Sequence, residues 1–487
     1  MGCEWAAKLD ACFERMVSNG KCDIPGVVAL AYHKGQRYHK AFGFADKETG
    51  QPMPLDAQFR IFSMTKVLAS TVLLKLAEEY ACTGGCESVD AFLDAEVADL
   101  VPSFKREFRI VSVVGSASRA SEAGCAEPME SAADIVKYTS FLTGATYRLA
   151  YEMRPASRPL LVKHLMAEAS GIGYDQWADI DLWLPNARLG LEYGAVQALR
   201  HQAGKGAYTS NCIIGQDASL EEYTDALAVA GVLVCEPGTF SYGLGALVVG
   251  RVVEVLYERL RGEARRFADV VTELLFEPLG MTSAAFYLSD GDPRAALVPV
   301  LYGGRMRDAA DVDGSGGCDV LPYEQCLPAV PSLPNSVATD SFAGPRRCDS
   351  GDTGACMTVA DYAKFYDMLL AGGTAPNGAR LLSEESVHRL THRAHDGLSR
   401  DSPIGRFMRL HDAMQSFNHG WATRPAAEGK PHCNFWSGYA NNHGRLYVED
   451  DAYILVFPQF MGSSPGGWLL GSATVREPVT DVFEAML

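Results

Sequence analysis

Apolar and polar positions alternate near both ends of the chain, a pattern that predicts β-strands. Residues 27–32 form an apolar run that Gly35 interrupts, and residues 37–42 continue the pattern, so a hairpin with a tight turn is expected. Near the other end, residues 445–449 and 453–457 flank an Asp-Asp pair in the same manner. The sequence therefore predicts one antiparallel hairpin close to each end of the chain.

Between these hairpins the apolar positions follow the period of an α-helix. A buried helix is predicted from Met64 to Tyr80, where apolar residues cover most of the surface. Further helices are predicted over residues 220–234, 247–260 and 472–486.

Two segments have no clear period. Residues 111–129 are rich in Ser, Ala and Gly, and residues 302–345 carry many Gly, Pro and Asp, so both are predicted to be long surface loops. Strands at both ends with helices between them predict a mixed α/β (α+β) fold, in which the two termini build an antiparallel sheet flanked by helices and a mostly helical subdomain is inserted. The expected organisation is a single catalytic domain over residues 20–487, with an α/β subdomain from 20–80 and 350–487 and a mainly helical subdomain with long loops from 81–349.

Charge and composition exclude several classes of partner. A net charge of -17 repels phosphate backbones, so no nucleic-acid partner is expected. The longest apolar stretches, 226–234 and 244–249, are too short to cross a bilayer. The start of the chain lacks a secretory pattern, and 13 scattered cysteines indicate free thiols in a reducing compartment, so a cytoplasmic location is expected. Lipid attachment at Gly2 and Cys3 is the alternative, although Ala6 stands where the acylation pattern prefers Ser or Thr.

Candidate chemistry begins at Ser63-Met64-Thr65-Lys66, which places a hydroxyl and an amine three residues apart at the start of the predicted helix. This spacing puts both groups on one helix face, one turn apart. An amine of lowered pKa can accept the serine proton, and the helix N-terminus favours the negative charge that develops on the oxygen. The pattern alone also fits a helix cap at Ser63, and it recurs at residues 18–21, where Gly20 favours a turn.

Other sequence patterns do not support a second catalytic, metal or nucleotide site. Residues 462–466 match Gly-x-Ser-x-Gly, but the α/β-hydrolases that use this motif need a histidine after the serine, and the last histidine here is His443. Cys82 and Cys86 lack a second pair at zinc-finger spacing, so no metal is predicted. The chain contains no phosphate loop or dinucleotide fingerprint in the required context, so no cofactor is predicted.

Several motifs in a fixed order resemble the serine β-lactamase-like proteins, which include class C β-lactamases, DD-peptidases, family VIII carboxylesterases and mitochondrial lactamase-like proteins. The likeness covers nearly the whole chain. The nucleophile motif is FRIFSMTK at residues 59–66, and the segment HLMAEASGI at 164–172 is similar to the family's HLLTHTSGL, with both threonines and the second histidine replaced. PGTFSYGL at residues 237–244 resembles the family's tyrosine motif, and Trp436-Ser437-Gly438 stands where the third motif belongs. Further matches lie at residues 24–26, 43–46, 278–281 and 361–365.

The resemblance implies a role for each matching residue. Ser63 would be the nucleophile, and Lys66 and Tyr242 would transfer protons, with the tyrosine pKa lowered by the nearby ammonium. The backbone N–H groups of Ser63 and Tyr439 would form the oxyanion hole. Read singly, Tyr242 and Trp436 also fit core aromatic residues.

Two departures from the family's motifs bear on the substrate. The third motif normally begins with Lys, which helps hold a substrate carboxylate, but here it begins with Trp436. The second motif normally has Asn two residues after the tyrosine, and here the residue is Leu244. Both changes favour a small neutral ester or amide over a peptide or lactam. Asp352, Thr353 and Ala355 also replace the family's glycine run, which changes one wall of the expected site.

Three functions follow from these observations. The favoured function is a serine hydrolase that cleaves a small ester through an acyl-enzyme on Ser63. The second is a D-amino-acid peptidase, transpeptidase or β-lactamase. The third is a non-catalytic scaffold or filament-forming relative, for which a homo-oligomer would be the partner.

Overall fold

The computed structural model describes twelve segments of the chain: residues 4–18, 24–119, 134–139, 146–174, 191–202, 218–306, 318–326, 343–344, 347–392, 416–427, 429–462 and 477–487. Within these segments no helix is both long and apolar enough to cross a membrane. The cysteines described are free thiols, most of them buried or partly buried.

The strands of the described segments form five sheets. In chain order they are β1 (Gly26–His33), β2 (Gln36–Asp46), β3 (Gln51–Pro52), β4 (Phe59–Arg60), β5 (Arg109–Arg119), β6 (Asp134–Thr139), β7 (Thr146–Pro155), β8 (Val232–Leu233), β9 (Leu288–Ser289), β10 (Tyr302–Met306), β11 (Cys318–Pro322), β12 (Ala343–Gly344), β13 (Cys356–Met357), β14 (Ser416–Asn418), β15 (Trp421–Arg424), β16 (Cys433–Ser437), β17 (His443–Tyr447), β18 (Ala452–Pro458) and β19 (Phe460–Gly462).

The helices lie at both ends and throughout the middle of the described chain. They are α1 (Glu4–Val17), α2 (Thr65–Cys82), α3 (Val89–Leu93), α4 (Val97–Leu100), α5 (Val162–Met166), α6 (Leu191–Gln202), α7 (Leu220–Val229), α8 (Gly245–Arg261), α9 (Phe267–Val271), α10 (Glu277–Leu279), α11 (Tyr323–Cys326), α12 (Val359–Leu370), α13 (Glu384–His392) and α14 (Glu477–Glu484).

The largest sheet joins the two ends of the chain, as the sequence predicted. It has eight antiparallel strands in the order β14-β15-β16-β17-β18-β1-β2-β3. Both predicted hairpins are confirmed: β1 and β2 turn at Lys34 and Gly35, which have φ of 47° and 83°, and β17 and β18 turn through Asp451. The first and last hairpins meet where β1 pairs with β18, with Val28 opposite Phe457.

Helix α2 crosses the core and begins within the first candidate motif, at Thr65. It contains neither Gly nor Pro, and its Leu, Val and Ala residues are buried on several faces, which is the pattern of an interior helix. It packs against α8, the other long apolar helix. The predicted boundaries of α2 and α8 agree with the structure to within a few residues.

The structure differs from the prediction in the middle of the chain. The predicted loop at 111–129 begins as a strand, because β5 runs to Arg119 and pairs with β7 in a four-stranded sheet of order β6-β7-β5-β8. The segment expected to be mainly helical, residues 81–349, therefore also contains a sheet. The strand forms because Ile110 and Val111 are β-branched and buried, a local signal that the surrounding Ser, Ala and Gly obscured. Residues 120–129 lie outside the described residues.

Two further segments also depart from expectation. The predicted loop at 302–345 contains β10, β11 and α11 within its described residues. The predicted helix 220–234 ends at Val229, because Gly231 adopts a φ of 62° and β8 follows. The closing helix is described from Glu477, and residues 472–476 lie outside the described part, as do residues 463–466 of the rejected Gly-x-Ser-x-Gly match.

Helix α1 precedes the predicted domain start at residue 20. It buries Leu9 and Phe13 completely and packs against β2 and α14. It therefore shares the core of the eight-stranded sheet.

Candidate active site

A single 3₁₀ turn, Phe62–Met64, presents Ser63 just before α2. Phe62 has a φ of 45°, a conformation that costs free energy for a residue with a side chain and is found preferentially at functional sites. The amides of Met64 and Thr65 close the turn by donating to Ile61 and Phe62, which leaves the Ser63 amide outside these hydrogen bonds. Helix α2 has no side-chain cap at its first residues, so Ser63 does not act as a helix cap.

Lys66 lies one turn beyond Ser63, on the same face of the helix, as predicted. Its Nζ lies 3.3 Å from the Ser63 Oγ. Ser63 is 9% exposed, whereas Lys66 has no exposed surface. Ser63 therefore keeps a small exposed surface, while Lys66 lies entirely inside the protein.

Lys66 also forms a buried ion pair that the sequence did not predict. Its Nζ contacts the Asp352 carboxylate, and neither side chain is exposed to solvent. Lys66 further donates to the Tyr174 hydroxyl at 2.7 Å, and that hydroxyl donates to the same Asp352 oxygen. A carboxylate in contact favours the ammonium form of Lys66, so the expected neutral amine is not the resting form that this geometry supports.

Asp352 and Tyr174 could be found from the sequence only in part. Asp352 replaces a glycine of the family pattern, which is an unusual place for an acid, and Tyr174 follows the 164–172 segment by two residues. Neither observation identifies Lys66 as the partner, because the pairs are 286 and 108 residues apart in the chain.

Tyr242 lies against both Ser63 and Lys66. Its side chain is hydrogen-bonded to Ser63, the Lys66 Nζ lies 4.8 Å from the centre of its ring, and Trp436 donates from Nε1 to its oxygen at 3.2 Å. The predicted lowering of its pKa is wrong. Burial and the nearby charge of Glu168 raise the pKa of Tyr242, although the bonds from Ser63 and Trp436 oppose this, so the phenol keeps its proton.

Glu168 is a second buried carboxyl group that the sequence did not predict at this site. It replaces the second histidine of the family segment and has a φ of 51°. Its Oε2 accepts from the Gly243 amide at 2.7 Å, and its Oε1 has no hydrogen-bond partner among the described residues. Burial raises the pKa of Glu168 to about 7, with the charge of Lys66 acting in the opposite direction.

The end of β16 borders the Phe62–Met64 turn that contains Ser63. Gly438 is required there, because an added Cβ would lie 2.3 Å from the Ile61 carbonyl oxygen. Ser437 accepts from His443 Nδ1 at 2.8 Å, since Arg445 donates to the other ring nitrogen and leaves the proton on Nδ1.

Tyr439 follows Gly438 in a tight turn, where Gly438 donates to Asn442 and Asn441 donates back to Gly438. The Tyr439 amide takes part in neither of these two hydrogen bonds. Its ring is 40% exposed and meets the Phe62 ring edge-on. An oxyanion hole formed by the Ser63 and Tyr439 amides agrees with this placement and stays a prediction.

Leu244 lies two residues after Tyr242 and is fully buried in the main core. Its amide donates to the Ile172 carbonyl at 2.8 Å as α8 begins. The contacts described for Leu244 are therefore those of a packing residue.

Aromatic rings form the wall beside the Tyr242 hydroxyl. Trp436 meets Phe417 edge-on at 4.7 Å between ring centres, and Tyr242 contacts Trp436, Phe417 and Tyr174 at 5.3 to 6.0 Å. The third motif thus supplies an apolar surface and one indole donor where the family has a cation.

Comparison with known proteins identifies the family. The chain matches the Beta-lactamase family over residues 9–466. It belongs to that family. The fold agrees: EstCE1, described as a hydrolase with promiscuous acyltransferase activity, superposes with a TM-score of 0.62 at 18% identity, over 97% of this chain and 98% of EstCE1.

Two curated relatives resemble the chain in sequence. Esterase EstB of Burkholderia gladioli is 26% identical over 313 residues, which are 63% of this chain and 58% of the esterase. Penicillin-binding protein 4 of Amycolatopsis lactamdurans is 23% identical over 401 residues, 82% of this chain and 71% of that protein. This member of the Beta-lactamase family thus has relatives named for two different activities.

Proposed function

We propose that this protein hydrolyses a small neutral ester through an acyl-enzyme on Ser63. The observation that carries the proposal is the meeting of Ser63, Lys66 and Tyr242, which are far apart in the chain, in one hydrogen-bonded group. A hydroxyl with a proton relay on one side and a proton donor on the other is the arrangement that acyl transfer needs.

In the first half of the reaction, the Ser63 oxygen attacks the ester carbonyl carbon. Its proton passes to Lys66 while Lys66 passes one proton to Asp352, so the ammonium is never lost. Tyr242, which keeps its proton at rest, gives that proton to the departing alkoxide as the ester bond breaks. The products are an acylated Ser63, a protonated Asp352, a Tyr242 phenolate and the free alcohol.

In the second half, water attacks the acyl carbon and returns a proton to the Tyr242 phenolate. The bond to the Ser63 oxygen then breaks, and that oxygen recovers its proton from Lys66, which recovers one from Asp352. The carboxylic acid leaves and every side chain returns to its starting state. Amides of Ser63 and Tyr439 would hold the negative oxygen of both tetrahedral intermediates.

The side chains around the Tyr242 hydroxyl favour an ester as the substrate. Trp436 and Leu244 replace a cation and an amide that would bind a peptide or lactam, and the rings around Tyr242 are apolar. The relative named as an esterase agrees with this preference. The relative named as a penicillin-binding protein supports the second candidate, a D-amino-acid peptidase or β-lactamase.

A substrate panel tests the proposal. Initial rates would be measured on 4-nitrophenyl acetate and butyrate, a D-alanyl-D-alanine peptide and a chromogenic cephalosporin, for the native chain and for Ser63→Ala. We expect the aryl esters to react fastest and the variant to lose this activity. A faster reaction of the D-alanyl peptide or the cephalosporin would favour the second candidate. A folded chain with no turnover of any substrate would favour the scaffold.

A further inference from the structure

A group of imidazole and carboxylate side chains lies at the end of α13, among residues to which the proposed reaction assigns no role. His392 is the last residue of that helix, His432 directly precedes β16, and Glu449 lies in the turn between β17 and β18. One donor atom of each residue lies within 4.8 Å of those of the other two. Three chain segments thus converge on one point at the protein surface.

Thr391 contacts both histidine rings. Its hydroxyl lies 2.7 Å from His392 Nδ1 and 2.8 Å from the Val387 carbonyl, and a hydroxyl can donate to a ring nitrogen or accept from it. His432 Nε2 lies 2.9 Å from the Thr391 carbonyl oxygen, which can only accept, so this nitrogen carries a proton. Nδ1 is therefore the nitrogen of His432 that can bind a metal.

The other nitrogen of His392 faces a carboxylate. Its Nε2 lies 2.8 Å from the Glu449 Oε1, so these two atoms share either a proton or a bound cation. Histidines that bind metals characteristically donate their other N–H to a carbonyl or a similar acceptor, as His432 does to Thr391 and as the Thr391 hydroxyl allows for His392.

We propose that His392, His432 and Glu449 bind one divalent first-row transition-metal ion, with Zn²⁺ the best fit. Two imidazoles and a carboxylate are ligands that this class of ion prefers, and Ca²⁺ and Mg²⁺ prefer oxygen alone. Three protein ligands leave the fourth tetrahedral position to water or a surface anion. The His392 ring is stacked between the rings of His388, at 4.6 Å, and His432, at 4.9 Å, so one ligand ring must turn about its Cβ–Cγ bond for both to face the ion. His388 lies one turn earlier on the helix and outside the ligand set.

The ion would join α13 to the eight-stranded sheet. His432 directly precedes β16, and Trp436 of the candidate active site lies on that same strand. A ligand that binds the folded state and not the unfolded state raises the free energy of unfolding. The proposed role is therefore structural, and it stands independently of the reaction proposed for Ser63.

Titration of the untagged chain with Co²⁺ and with Zn²⁺ tests the site. Binding would be followed by the visible absorption of Co²⁺ and by calorimetry for Zn²⁺, in a Cys82→Ser, Cys86→Ser background that removes two thiols as competing ligands. We expect one ion per chain, a Co²⁺ spectrum without thiolate charge-transfer bands, and a rise of melting temperature with Zn²⁺. Replacing His392, His432 or Glu449 by Gln should weaken binding by more than about 10-fold.

Two further variants make the assignment specific. His388→Gln is the matched control and should bind as the parent does. Thr391→Val keeps all three ligands but removes the hydroxyl that contacts His392 Nδ1 and orients its ring, so a weakening of about 10-fold to 100-fold is expected. Unchanged binding in His392→Gln and His432→Gln, or loss in His388→Gln alone, would overturn the proposal.

Discussion

Two charged side chains without solvent exposure, Lys66 and Asp352, determine the electrostatics of the candidate site. Moving either ion alone from water into the interior costs several kcal/mol, so each depends on the other. The pair also explains how a buried lysine beside Ser63 can keep its charge. Tyr174 completes the group by bridging both partners.

Asp352→Asn should therefore destabilise the protein strongly. The substitution keeps the shape but leaves the Lys66 charge uncompensated, and we expect the free energy of unfolding to fall by about 3 kcal/mol. Chemical denaturation measures this difference. The control is Asp94→Asn, which breaks the exposed Lys163–Asp94 pair and should cost at most about 1 kcal/mol. A similar small loss in both variants would show that Lys66 is not charged.

Glu168 makes stability depend on pH. Its pKa of about 7 in the folded protein exceeds its usual value of 4.5, so the folded state keeps a proton that the unfolded chain releases. Stability from this group is full below pH 4.5 and is lost as the pH rises to about 7, by about 3 kcal/mol in total. Glu168→Gln removes this dependence. The advantage of the variant in unfolding free energy should therefore grow between pH 4.5 and 8, and a constant difference would contradict the assignment.

Tyr242→Phe removes one oxygen and keeps the ring in its aromatic surroundings. Loss of the proton donor should lower kcat for an aryl ester by about 100-fold or more, while circular dichroism and melting temperature stay near those of the native chain. Turnover near the native value would remove Tyr242 from the proton pathway.

Among single residues, those that belong to the ordered motifs were predictable from the sequence. Ser63, Lys66, Tyr242 and Trp436 are brought together as expected. The carboxyl groups of Asp352 and Glu168 could not be assigned, because their effects come from burial and from partners distant in sequence. For the same reason the direction of the Tyr242 pKa shift was predicted wrongly.

Among the elements, the contact between the Phe62–Met64 turn and the end of β16 borders the candidate active site. Gly438 permits this contact because its missing side chain faces the Ile61 carbonyl. Long, strongly patterned elements such as α2 and the β1–β2 hairpin were predictable, since their periodicity extends over many residues. Short strands such as β8 and β13 depend on their pairing partners, so they cannot be predicted from local composition.

Gly438→Ala tests this contact. The new Cβ must push β16 away from the turn that carries Ser63, and displacement of about 1 Å at a reacting centre costs about 100-fold in rate. Ester turnover should fall by that order while the protein stays folded. Gly378→Ala is the control: its φ of 83° makes alanine strained, but no atom lies within 4 Å of the added Cβ, so turnover should be kept.

In the molecule as a whole, the sheet brings the two ends of the chain together around the helices. The first and last hairpins pair through β1 and β18, and Ser63 lies in the turn that leads into α2, the buried helix of the core. The two hairpins predicted this architecture, and the ordered motifs implied the family. The four-stranded sheet of β5 to β8 was not predictable from periodicity, because its strands lie among Ser-rich and Gly-rich segments.

The central claim is that Ser63 is a nucleophile activated by its neighbours. Incubation with a fluorophosphonate probe, followed by mass spectrometry of the peptides, tests it most directly. The account predicts one adduct on Ser63 in the native chain and none in Ser63→Ala. An adduct on another residue, or equal labelling of the variant, would contradict it.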